Sequence, residues 1–471
     1  MKKLTSVLLG PVVFVCFLLI PVGGLEYVVR GAIGLLLWML LWWITQPVAP
    51  AVTALLPILC AQLFKIAATK TVLAVYFNAT IVLLLSANII TIAWTKWGFD
   101  RRLALTIMKH VGNNPKKLIA MWFILAVVLS SMVANAAVAA ALFPIVLTTI
   151  HAAGIEDDKI KASNYATAAL LAVAWGSNVG FGTPLGGAMN LVVVNLIEEY
   201  TGTEFMYVDW IVRCIPLVIL IAAPMLFLLL CNKMEFKELS GTKESLQAEL
   251  DKLGPMGRGE KAGAILFVAA FVLSLARPLF SSVLPTLTAN YIFLAAALLC
   301  FVIPADKNQP VLTWGYVQPK VKWGVFYLIA GGTALGNIIT SSGVGDMISN
   351  GIAPLAGKSV LAAIIIFSIM GCFFSNIMTI TGCAALIGPI IITTMSNLGY
   401  NPIPFLLLCY AACNISICLP SSGAGPAMVA GYGVDLKKMV RWGLKTIPLC
   451  LISVIFLGYL LYLAWPGFSA L

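Results

Sequence analysis

The sequence predicts an all-α polytopic membrane protein, and three observations carry that prediction. Charged side chains make up only 10% of the 471 residues against 61% hydrophobic, where a soluble domain carries about 25% charged. Charge is also excluded in long blocks. From Ser359 to Val434 there is no Asp, Glu, Lys, Arg or His, far beyond the roughly 20 apolar residues that one spanning helix needs. Finally, the apolar runs lack the alternation that barrel strands show over about ten residues. Helices are then the structure that satisfies its own backbone in a bilayer.

Along the chain, Met1-Lys2-Lys3 and the apolar run after it resemble a signal peptide, but no clear small-x-small cleavage site follows. The run reads as a first spanning helix with a cytoplasmic N-terminus. Apolar segments lie near 4–22, 31–64, 71–95, 118–150, 164–197, 207–231, 262–283, 288–303, 321–340, 359–395, 402–430 and 443–465. Some are long enough for two passes or a re-entrant pair, so about eleven spanning helices plus two re-entrant hairpins are expected. The stretch 232–261 differs, with Glu235, Lys237, Glu238, Lys243, Glu244, Glu249, Asp251, Lys252, Arg258 and Glu260. It reads as a charged cytoplasmic linker, with a surface helix over 234–252 ended by Gly254-Pro255. It divides a first half, 1–231, from a second, 262–471. The net charge of +11 sits in short segments between apolar runs, which suits cytoplasmic loops of a cell-membrane protein. No basic stripe with interleaved aromatics appears, so nucleic acid is not an expected partner. The 11 Cys form no CxxC pair and most lie in apolar runs, as buried small hydrophobes do. His110 and His151 have no second ligand at metal spacing. No cofactor is expected, nor is an enzyme, since no nucleophile–base pair or metal cluster lies within the apolar runs.

The halves echo each other. Asn88-Ile89-Ile90-Thr91 recurs as Asn337-Ile338-Ile339-Thr340, each followed by a long apolar run with Asn near its centre. Leu118–Ile150 has 33 residues and as one helix would extend about 50 Å, against a core of about 30 Å. Both its flanks are charged, so the run should enter and return, turning at the small and polar Ser130-Ser131-Met132-Val133-Ala134-Asn135-Ala136. A single tilted helix is the alternative. Ser359–Met395 repeats the pattern around Phe374-Ser375-Asn376-Ile377-Met378-Thr379.

A polar break follows each hairpin: Trp175-Gly176-Ser177-Asn178-Val179-Gly180-Phe181-Gly182-Thr183-Pro184, and Leu419-Pro420-Ser421-Ser422-Gly423-Ala424-Gly425-Pro426. Mid-span Gly and Pro unwind a helix and free backbone groups, and paired interrupted segments point to a transporter's binding site. A kink with a packing role is the bland alternative. Turns and breaks expose helix N-termini, which attract anions. No Arg or Lys lies in these four elements. An anion would therefore be held by amides, Asn and Ser, with or without a co-bound cation, which suits carboxylates without excluding sulfate or phosphate.

At these residues the chain resembles the divalent anion/sodium symporter family, carriers of dicarboxylates, citrate and sulfate. Thr53-Ala54-Leu55-Leu56-Pro57-Ile58, Gly98 to Leu105, the linker Leu253 to Lys261, and Trp323-Gly324 to Gly343 are similar to family segments in the same order. The family signature is Ser-Asn-Thr at each hairpin tip. Here the first tip reads Ala134-Asn135-Ala136, keeping the Asn and losing both hydroxyls. At the second, Ser375-Asn376-Ile377 matches if one helical turn is inserted before Pro389. A gapless register puts Thr379-Ile380-Thr381 at the tip instead. The Ser-Asn register is the expectation.

The resemblance implies a homodimeric elevator built from two inverted repeats. It implies substrate contacts at Asn135, Ala136, Ser177, Asn178, Ser375, Asn376, Ile377, Thr379, Gly423 and Ala424. It places sodium, where used, at Ser130, Asn135, Gly176, Asn376 and Ser422. The lost hydroxyls leave sodium symport and sodium-independent exchange both open. The expected cargo is a dicarboxylate of the succinate, malate or 2-oxoglutarate type. Citrate, sulfate, or a sodium/proton antiporter on a related scaffold are the alternatives, although an antiporter would call for an intramembrane carboxylate that these elements lack.

Overall fold

The computed structural model describes residues 2–20, 24–239, 241–306, 309–419 and 423–469. Helices α1 (Lys2–Leu19), α2 (Tyr27–Thr45), α3 (Pro50–Thr53), α4 (Leu56–Phe64), α5 (Thr69–Val75), α6 (Ala79–Trp97) and α7 (Phe99–Met108) lead into a hairpin, α8 (Pro115–Met132) and α9 (Asn135–Ala152). A broken helix follows, α10 (Asn164–Asn178) and α11 (Ala188–Thr201), then the long α12 (Tyr207–Cys231). The linker carries α13 (Thr242–Lys252). The second half holds α14 (Arg258–Leu275), α15 (Arg277–Phe280), α16 (Ala289–Leu299), α17 (Trp314–Val317), α18 (Trp323–Ser341) and α19 (Val344–Ala356). A second hairpin, α20 (Val360–Ile377) and α21 (Ile380–Asn397), a second broken helix, α22 (Ile403–Cys413) and α23 (Ala424–Gly431), and the long α24 (Leu436–Ala464) complete the chain.

Among the described residues, 9 helical stretches are long and apolar enough to cross a membrane, the four hairpin arms included. Other apolar helices, such as Pro50–Phe64, Ala289–Leu299 and Ile403–Cys413, are shorter. The long helices leave large apolar side chains on the outside. On α24, Leu444, Ile452, Phe456, Leu460 and Leu463 are all exposed. An apolar outer face of this extent belongs against lipid.

Local chemistry sets the helix starts. Asn114 caps α8 by accepting from the Lys116 and Lys117 amides, with Pro115 in the first turn. Ser359 caps α20 through the Ala362 amide, and Ser163 caps α10 through the Ala166 amide. Side-chain oxygens satisfy first-turn N–H groups in this way. Glu235 adds a carboxylate at the α10 N-terminus, accepting from the Asn164 and Tyr165 amides, where the helix dipole favours negative charge.

The linker helix is shorter than the stretch 234–252 predicts. Glu235 is held at α10, and Gly241 adopts φ +74°, a left-handed turn that interrupts the helix before Thr242. Gly254, at φ +62°, follows its end as expected. The linker is also anchored. Leu239 and Leu246 are buried, Arg102 binds Glu260 at 2.6 Å, and Glu249 pairs with Lys252 and Arg101. Lys252, with Arg101 beside it, holds the Glu249 carboxyl below its ordinary range.

Hairpins and broken helices interlock at the centre. α10 lies against both arms of the first hairpin, and α22 against both arms of the second. The later halves cross over: α11 packs on α21, and α23 packs on α9. From Tyr165 to Asn178 every α10 residue is buried, as is all of α22. Helix α18 fits between α3 and the second hairpin through glycines. A Cβ on Gly331 would lie 2.1 Å from the Ala54 carbonyl oxygen, and one on Gly332 2.1 Å from the Ala385 Cβ. Small residues allow such close backbone approach.

Candidate functional site

The first hairpin turns at Val133 and Ala134, so Asn135 is the first residue of the returning arm. Ser130, fully buried at the end of the outgoing arm, donates to Asn135 Oδ1 at 2.8 Å and to the Ser177 carbonyl at 2.6 Å. The turn, its Asn and the end of α10 are thus joined through one hydroxyl.

The second hairpin turns one helical turn later than the Ser375-Asn376-Ile377 register predicts. Met378 and Thr379 form the turn, and Thr379 caps α21 by accepting from the Gly382 amide at 3.2 Å. The tip is therefore Thr379-Ile380-Thr381. Pro144 and Pro389 then stand at the same distance from their turns, and no inserted helical turn is needed. Asn376 is left on α20, where it ties the hairpin to the second break. It donates to the Ile415 carbonyl at 3.0 Å and accepts from the Ile417 and Cys418 amides at 3.3 Å. Ser375 offers its carbonyl to the Ser416 hydroxyl at 2.6 Å.

Each break lies against its hairpin. A Cβ on Gly180 would lie 2.2 Å from the Ser130 Cβ, and one on Gly186 1.9 Å from the Gly180 carbonyl oxygen. No larger residue fits at either place. The Asn178 amide reaches the Ser416 carbonyl at 2.7 Å and so joins the first break to the second.

These parts line a half-open cavity of about 280 Å³. Four helix N-termini line it: Asn135 and Ala136 of α9, Ile380 and Thr381 of α21, Ala188 to Asn190 of α11, and Gly423 ahead of α23. The cap residues Ala134, Gly187 and Gly423 make no side-chain cap bond. In these first turns the Ala137 and Asn190 amides bond back to the Ala134 and Gly187 carbonyls and Pro426 has no N–H, which leaves the earliest amides of each helix without a cap side chain. A Cβ on Gly187 would lie 3.6 Å from Asn135 Oδ1, and one on Gly423 3.3 Å from Asn178 Oδ1. α6 and the start of α18 complete the lining, with Leu84, Asn88, Lys322, Val325 and Phe326. Among the described residues lining the cavity there is no Asp or Glu, and Lys322 is the one charged side chain. A larger cavity of about 570 Å³ lies between α5, α11, α18 and α21. It is lined by Glu199 and by one helix N-terminus, that of the short α5, so it is the poorer place for an anion.

Aligned helix N-termini around a space whose described lining holds no acid suit an anion. Residues 1–469 match the family model described as the sodium:sulfate symporter transmembrane region. The chain belongs to this family. Sodium-dependent dicarboxylate transporters named SdcS are among its relatives. That of Staphylococcus saprophyticus is 27% identical over 482 residues, and that of Staphylococcus aureus 28% over 484, each match covering 98% of this chain and 91% of the relative. Among solved structures, the YdaH transporter of Alcanivorax borkumensis, reported to have an unusual topology, matches with a TM-score of 0.54 at 13% identity. The match covers 83% of this chain and 86% of that one, and it speaks to fold alone. The protein is thus a multi-pass membrane transporter of the sodium:sulfate symporter family, and not an enzyme.

In this family member the cavity brings together Asn135, Ala136, Asn178, Thr379 and Gly423 of the residues that the sequence points to. Ser130, Gly176 and Ser177 are buried just behind it. Gly176 has a packing duty there, since a Cβ would lie 2.6 Å from the Phe123 carbonyl oxygen. Ser375, Asn376 and Ile377 do not line the cavity, because the turn comes after them. Ser422 lies outside the described residues, and Ala424 is described only as the first residue of α23. Sequence reasoning missed Asn88, Asn190, Lys322, Thr381 and Asn414, all on the lining. Asn88 had a signal in the repeated Asn-Ile-Ile-Thr. Lys322 had none, because a lysine at the head of an apolar run reads as an interfacial flank.

Proposed function

We propose that the protein is a secondary transporter carrying dicarboxylates of the succinate, malate or 2-oxoglutarate type across the cytoplasmic membrane. The observation that carries this reading is the convergence of four helix N-termini and the Asn135 and Asn178 side chains on one cavity with no acid among the described residues of its lining. Amides and neutral Asn side chains suit a carboxylate, whose charge is spread over two hydrogen-bond-accepting oxygens. The names of the relatives support the same cargo. Citrate and sulfate are the alternative cargoes.

The interlocked hairpins and broken helices form one packed unit, and α6 with α18 supplies the rest of the lining. We read the first as the moving body of an elevator and the second as part of its fixed scaffold, in a homodimer of chains with inverted repeats and cytoplasmic N-termini. Coupling runs either by exchange or by sodium symport. Ser130 Oγ, Asn135 Oδ1 and the Ser177 carbonyl come together as neutral oxygens, which supports a co-transported sodium ion there. The absence of hydroxyls at Ala134 and Ala136 favours exchange.

Counterflow into proteoliposomes, with succinate, malate, 2-oxoglutarate, citrate and sulfate, tests the reading with and without a sodium gradient. Succinate-type anions should be taken up, and Asn135→Ala should abolish uptake while the protein remains well expressed and monodisperse. Full uptake by that variant would remove the site assignment. Uptake that needs internal anion and ignores sodium would settle the coupling as exchange.

A further inference from the structure

Lys322 is the feature of the cavity that the helix N-termini do not explain. It precedes α18 and lines the same cavity as both hairpin tips. Its backbone is held by α6, where Asn88 Oδ1 accepts from the Lys322 amide at 3.3 Å. Its ammonium makes no ion pair or hydrogen bond with any described residue. The two buried arginines among the described residues are paired, Arg213 with Asp209 and Arg277 with Glu204, and the half-buried Lys96 donates to the Val311 carbonyl. A lysine kept beside a cavity with no carboxylate on its lining calls for an anion from outside the protein.

The two walls differ in what they offer. The hairpin wall offers amides and Asn side chains, enough for one carboxylate. The scaffold wall offers one mobile cation with three donors, set among Leu84, Val325 and Phe326. We infer that Lys322 is the counter-charge for the second carboxylate of the cargo. One carboxylate rests on the helix N-termini at Asn135, the other meets Lys322 across the cavity, and the carbon chain between them lies along the apolar side chains. This inference rests on the assignment of the cavity as the substrate site and names what makes that site select two charges over one.

The test compares succinate with butyrate, which keeps the four-carbon chain and one carboxylate. Purified wild type, Lys322→Gln, Lys322→Arg and Asn135→Ala proteins are assayed in proteoliposomes for succinate KM and for inhibition of uptake by butyrate. Lys322→Gln should raise the succinate KM by about tenfold or more, the loss of one charge-assisted hydrogen bond. It should leave the weak inhibition by butyrate within about twofold, so selectivity for the dianion collapses. Lys322→Arg keeps the charge and should retain most of the preference, which separates loss of charge from loss of fold. If Lys322→Gln binds succinate as wild type does while Asn135→Ala is inactive, the role of Lys322 is overturned and the site stands. If Asn135→Ala is also unaffected, the site assignment itself fails. Equal weakening of succinate and butyrate in both Lys322 variants would likewise overturn the charge-pairing role.

Discussion

Ser130 has a single proton and two acceptors, Asn135 Oδ1 and the Ser177 carbonyl. Removing the hydroxyl leaves the Ser177 carbonyl buried without that donor and frees the Asn135 side chain to rotate. Ser130→Ala should therefore cost about 1–2 kcal/mol of stability and raise the KM for the cargo, both measurable by thermal melting and uptake. Unchanged melting together with unchanged KM would mean that the hydroxyl orients nothing. At this scale the sequence was legible where a residue type is rare in its surroundings. Asn135 in a run of alanines and Asn178 in a Gly-rich break stood out. Asn376 stood out equally and belongs elsewhere, since it replaces backbone hydrogen bonds missing at Ile415, Ile417 and Cys418. A buried Asn has two duties open to it, holding a ligand or mending a broken helix, and its one-letter context does not separate them.

The elements were legible because length decides. Runs too long for one pass had to fold back, and the arms of both hairpins meet where small and polar residues interrupt the apolar chain. Less legible was the register of the second turn, where Ser-Asn and Thr-Ile-Thr lie one helical turn apart and both offer hydroxyls. Helical phase is set there by the packing of α21 on α11 and α18, which no local pattern reports. Contact within the first break and against its hairpin is a tight constraint at this scale. Gly186 is closed in by the Gly180 and Ser130 carbonyl oxygens, and backbone cannot step aside as a side-chain tip can. Gly186→Ala should lower stability by about 1–3 kcal/mol through overpacking. Gly351→Ala, in mid-α19 where a Cβ would meet nothing within 4 Å, should instead raise it by about 0.5–1 kcal/mol. Melting curves of the two variants in one detergent make the comparison, and equal melting temperatures would count against a rigid break.

On the scale of the molecule, polar ties join the interlocked centre to the helices around it. Asn78, which caps α6, and Thr80 of α6 both reach Asn195 Oδ1 on α11, at 3.2 and 3.3 Å, and Arg277 reaches Glu204 at 3.1 Å. Any sliding of one body along the other has to exchange these bonds for new ones. Such contacts join residues far apart in the chain, and for that reason neither they nor the wall carrying Lys322 could be read from it.

The cradle of helix ends has one more consequence. A field made by peptide dipoles cannot be protonated, and the cavity lining described here holds no group that gains a proton in mild acid. Carboxylic acids do so around pH 4 to 5. Acidifying the medium therefore alters the passenger and leaves its seat as it was. When one dicarboxylate is exchanged for another of different acidity, the acid-side midpoint of uptake should move with the acidity of the passenger. A midpoint shared by all passengers would reveal a titrating side chain at the site. The acid sensitivity of this transporter is thus written in the molecule it carries.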